Sequence, residues 1–64
     1  MERFTHIILN EVERGTENEQ NIERRISEFE AIKQTDPSSI DEVTEQVYQS
    51  NLEALNTLQN RRQS

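Results

Sequence analysis

A chain of 64 residues, with 13 Asp and Glu set against seven Lys and Arg for a net charge of −6, holds one domain at most. Domains of this size bury only about 60% of their unfolded surface, so a lone protomer is marginal, and self-association or a partner chain is the natural source of more buried area. The charge repels nucleic-acid backbones on average and favours solubility or a basic partner surface, while the absence of cysteine excludes disulfide staples and thiolate metal sites.

At the start of the chain, no basic, then apolar, then small-residue pattern appears, and Ile7 to Leu9 is the longest apolar run. Neither a signal peptide nor a membrane span is therefore expected, and the cytoplasm is the default compartment. Phe4, Ile8 and Val12 recur at four-residue steps, with Ile7 and Leu9 to either side, which predicts a first helix over about residues 2–14. Gly15 is the only glycine and a natural helix stop. Thr16 and Glu19 then have the spacing of a capping box that would start a second helix. A competing register exists, since Met1, Ile8, Gly15, Ile22 and Phe29 fall seven apart and would serve one long helix over residues 2–34. The coincidence of stop and start signals favours the break.

Over about residues 17–34, Ile22, Ile26, Phe29 and Ile32 form a narrower apolar stripe, and Arg24, Glu28, Glu30 and Lys33 are spaced to support it from outside. Pro37 ends that helix, and the turn is expected at residues 35–39. Either Asp36 with Pro37 at the first helical position, or Ser39 in a box with Glu42, is expected to cap the next helix. That helix, about residues 38–60, has the longest uninterrupted period in the chain: Ile40, Val43, Val47, Ala54 and Leu58 line one side, and Tyr48, Leu52 and Leu55 widen the stripe to about half the circumference. A stripe this broad should touch two neighbours. The fold expected is all-α, a helical hairpin over residues 16–64 with an N-terminal helix over residues 1–15, assembling into a helical bundle.

Chemistry is sparse. His6 is the sole histidine and has no second His or Cys with which to share a metal. The carboxylate groups Glu17 with Glu19, and Asp41 with Glu42 and Glu45, are expected on solvated helix faces where nothing shifts their pKa values. With one glycine, no phosphate-cradling loop or glycine-flanked serine is available. No enzyme activity, cofactor, metal or small-molecule substrate is expected. Arg14, Arg24, Arg25 and Lys33 point in different directions on a helical projection with Glu interleaved, so a nucleic-acid stripe is not expected either.

What remains is a binding surface. The residues expected to meet a partner are Ile40, Val43, Val47, Tyr48, Asn51, Leu52, Leu55 and Leu58, with an acidic face of Asp41, Glu42, Glu45 and Glu53. Asn51, in line with Val47 and Ala54, either fixes register or lies at a wet edge. Three readings follow: a protein–protein interaction module, such as an adaptor or small chaperone subunit; an acidic regulator that mimics nucleic acid or docks on a basic protein surface; and an RNA-binding hairpin dimer. In outline, a hairpin of this length that pairs into a four-helix bundle resembles the Rop family of plasmid RNA-binding regulators, and its size and helix pattern are similar to the small hairpin chaperones of type III secretion systems. Both resemblances are of architecture and carry no site residue. A protein partner or a homo-oligomer is expected.

Overall fold

Gly15 decides between one N-terminal helix and two. Its φ is 84°, in the left-handed region that a residue with a Cβ rarely adopts, and its N–H together with that of Thr16 closes the helix end on Val12 and Glu11 carbonyls at 3.1 and 3.0 Å. The computed structural model describes residues 4–63, in three helices: α1 (Thr5–Arg14), α2 (Glu19–Thr35) and α3 (Glu42–Gln63). Among the described residues there is no strand.

Capping departs from the expected pattern at both starts. The residue that caps α2 is Asn18, whose side-chain oxygen accepts from the Asn21 N–H at 2.9 Å; Thr16 instead donates its hydroxyl back to the Glu11 carbonyl. Ahead of α3, Pro37–Ser39 forms a single 3₁₀ turn that Asp36 organises, its carboxylate accepting from the Ser38 hydroxyl and its carbonyl from that of Ser39. Neither Asp36 nor Ser39 caps α3. Asp41 does, accepting from the Thr44 N–H at 2.8 Å, because the 3₁₀ turn uses up the residues that the sequence offered as a first helical turn. At its other end α3 runs through Arg61 and Arg62 to Gln63, longer than expected, with the two arginines in its last turn.

Polar contacts fix how the helices lie. Glu19 pairs with Arg62 at 3.2 Å, and Glu30 accepts from the Tyr48 hydroxyl at 3.1 Å, so α2 and α3 run antiparallel. The Phe4 N–H donates to the Ser50 hydroxyl at 3.2 Å, which sets the start of α1 level with the middle of α3. From there α1 descends toward the end that Glu19 and Arg62 share, parallel to α3. Both α1 and α2 pack against α3, the two neighbours that its broad stripe called for.

At the centre, Ile8, Ile22, Ile26 and Ala54 form the buried cluster, and Phe4, Leu9, Val12, Leu52, Leu55 and Leu58 pack half-buried around it. Small residues at Ser50 and Ala54 let α1 close on α3. Ser50 is satisfied in both roles, since it accepts from Phe4 and donates to the Gln46 carbonyl at 2.9 Å. No described helix is long and apolar enough to cross a membrane.

Candidate functional site: an apolar groove with an acidic rim

Because α1 starts level with Ser50, residues 42–49 of α3 rise beyond it by about 12 Å, eight residues at the helical rise of about 1.5 Å each. The core line of α3 does not stop there. Val43, Val47, Ser50 and Ala54 follow one another at steps of four, three and four, so all face the same way. Ser50 and Ala54 are buried, whereas Val47 is 37% and Val43 60% exposed. On α2 the same happens: Ile22 and Phe29 are buried, and Ile32, three residues further on, is 45% exposed.

Between these two open stretches lies a groove of about 230 Å³. Ile26, Phe29 and Ile32 form its α2 wall, and Thr44, Val47 and Tyr48 its α3 wall. Phe29 and Tyr48 stack with ring centres 4.1 Å apart and planes 13° from parallel, which gives the groove a flat aromatic flank. Burial, reinforced by the hydrogen bond and negative charge of Glu30 and by the charge of Glu45, pushes the Tyr48 hydroxyl above its usual value, so it stays a neutral donor.

Arg25 and Asn51 close the groove at its lower end. Asn51, 3% exposed, does not lie at a wet edge: its oxygen accepts from Arg25 and its amide donates to the Val47 carbonyl at 2.8 Å. Arg25 also binds Glu17, whose side chain is only 8% exposed. Burial alone would raise the Glu17 carboxyl, yet the Arg25 guanidinium, the Asn18 N–H and the Asn21 side chain together hold it below the ordinary value of 4.5. The expectation that Glu17 sits on a solvated, unperturbed face is therefore wrong. Asp41 does stand exposed to solvent as expected, but its carboxyl is not unperturbed: it is lowered, chiefly by the Thr44 N–H it caps.

A second hollow, about 330 Å³ along Leu52, Glu53, Leu55, Asn56 and Gln59, is walled by α3 alone and offers no cleft. The residues expected to meet a partner thus divide. Tyr48, Asn51, Leu52, Leu55 and Leu58 are largely spent on the chain's own packing, Ile40 is half-buried in the link before α3, and Val43 and Val47 remain open. Sequence reasoning missed Ile32 as a groove wall and Arg25 as the bridge between Glu17 and Asn51. Arg25 carried a usable signal, lying at steps of three and four between Ile22 and Phe29 on the core side of α2.

Charge along this part of the chain is one-sided. From Glu28 to Gln49 the chain carries Glu28, Glu30, Asp36, Asp41, Glu42 and Glu45 against the single cation Lys33. Glu53, expected on the same face, lies lower on α3 and is half-buried. His6 is exposed, and among the described residues no group of three His, Cys, Asp or Glu side chains could hold a metal ion. In comparisons with known proteins, no family model, no curated protein and no solved structure matches this chain.

Proposed function

We propose that the protein is a non-catalytic interaction module that receives a helix of another protein in the groove between the C-terminal half of α2 and the N-terminal half of α3. One observation carries this reading: the apolar line of α3 continues past the start of α1, from buried Ser50 and Ala54 to exposed Val47 and Val43, opposite exposed Ile32. A third helix laid there would complete, in the upper half of the molecule, the three-helix packing that α1 provides below. Helix-in-groove recognition uses apolar anchors at steps of three and four, which match the ridges of Phe29, Ile32, Val43 and Val47. Pairing this face with its own copy about a two-fold axis would set carboxylates against carboxylates, which favours a different chain as occupant.

The test is selection of helical peptides from a displayed random library, followed by binding to the Val47→Gln, Ile32→Gln double variant. Both side chains are substantially exposed, so the variant keeps its helix content and melting point. Selected peptides should share apolar residues at helical spacing and lose binding to the variant. Binders indifferent to both substitutions would overturn the assignment.

A further inference from the structure

Resting on that reading, we infer that the helix received by the groove is cationic, about two to three turns long, with an apolar strip flanked on both sides by Lys or Arg. Length follows from the uncovered stretch of α3, residues 42–49, which matches about two turns of a partner laid alongside it. Sign follows from the rim. Glu28 lines the α2 side of the groove, Glu45 stands beside Tyr48 on the α3 side, near enough for its charge to act on the Tyr48 hydroxyl, and Lys33 is the only cation in the sequence between Ile26 and Asn60.

These carboxylates are not consumed by the fold. Glu28 stands exposed, and Glu45 accepts one bond, from the Gln49 amide at 3.1 Å, which leaves it further acceptor capacity. Of the chain's cations, Arg25 lines the lower end of the groove with its guanidinium engaged by Glu17 and Asn51, and Arg62 pairs with Glu19 at the far end of α3. An apolar floor supplies affinity without regard to sign, so it is the rim that discriminates. An acidic amphipathic helix with an identical apolar face would meet like charge on both sides.

Two synthetic helical peptides that share every apolar position, one with Lys and one with Glu at the flanking positions, test this by fluorescence anisotropy against the full chain. The Lys peptide should bind at least about tenfold more tightly, the result of a few partly screened charge pairs. The gap should narrow between about 0.05 M and about 0.5 M salt as the Debye length shrinks. Glu28→Lys with Glu45→Lys should reverse the preference, and Val47→Gln with Ile32→Gln should weaken the Lys peptide. Equal binding of both peptides would refute the cationic occupant and leave the groove reading standing. Binding of neither, or Lys-peptide binding untouched by the Val47 and Ile32 changes, would remove both.

Discussion

Arg25 grips the side-chain oxygen of Asn51 with two nitrogens, Nε at 3.3 Å and Nη2 at 3.1 Å, so a guanidinium from α2 and an amide from α3 meet at one fixed level. Nη2 also holds Glu17 in the loop before α2, and three segments are thereby set in register by a single side chain. Asn51→Ala should lower stability in urea unfolding by about 1–3 kcal/mol, the cost of stranding a partly buried charged donor. Asn51→Leu should recover part of that loss while allowing the helices to slide, seen as broadened side-chain resonances or mixed oligomers by light scattering.

Acid should weaken the fold through the same network. The Glu17 and Asp41 carboxyls are both held below their ordinary values of 4.5 and 3.8, so the stability they contribute is complete above those values and is lost as the pH falls through the lowered ones. Thermal melts from neutral pH down through the acid range should show a falling midpoint, and Glu17→Gln should flatten that descent. At the alkaline end the sign inverts. Tyr48 is raised above 10.0, so its contribution is present below that value and is lost as the pH climbs through the raised one; Tyr48→Phe should remove this limb.

Gly15→Ala isolates a backbone effect, because a Cβ built there would meet nothing within 4 Å and only the φ of 84° opposes it. A destabilisation of about 1–2 kcal/mol is expected for an L-residue held left-handed. Relief is open to the variant through fusion of α1 and α2 into one helix, along the seven-residue register of Ile8, Ile22 and Phe29. A rise in hydrodynamic radius or in molar mass would report that escape.

Core and surface isoleucines should separate sharply. Ile22, with no exposed surface, should cost about 2–5 kcal/mol when cut to Ala, enough to unfold a domain this small. Ile7, on the outer side of α1, should change stability by less than about 0.5 kcal/mol when replaced by Gln. Circular dichroism of the two variants makes the comparison directly.

One buried hydroxyl invites improvement. Thr5 Oγ1 is enclosed at the start of α1 with no hydrogen-bond partner. Thr5→Val keeps the shape and deletes the stranded donor, and should raise stability by roughly 1 kcal/mol, visible as a higher urea midpoint with an unchanged slope.

Periodicity carried the two longer helices and Pro37 the hairpin turn between them, whereas the break at Gly15 was legible from the glycine itself, against a seven-residue register through Ile8 and Ile22 that favoured one long helix. Cap positions were not legible: Thr16, Asp36 and Ser39 have the right chemistry, and local turn geometry handed the work to Asn18 and Asp41. The groove was legible in half. Val43 and Val47 stood out on the stripe of α3, but which stretch of that stripe stays open depends on where α1 starts, a distance between elements remote in the chain. Arg25 and Glu17 were hidden for a related reason, since charge suggests solvent until a partner such as Asn51 is brought across.

Since α1 and α2 both rest on α3, and far more than on one another, the third helix is the one that completes both interfaces. During translation α1 and α2 leave the ribosome before the wall they pack against exists, and Ile8, Ile22 and Ile26 stay wet until α3 emerges. The three helices must therefore fold together once α3 is available, and a nascent chain arrested before Ser50 should be open to protease along α1 and α2.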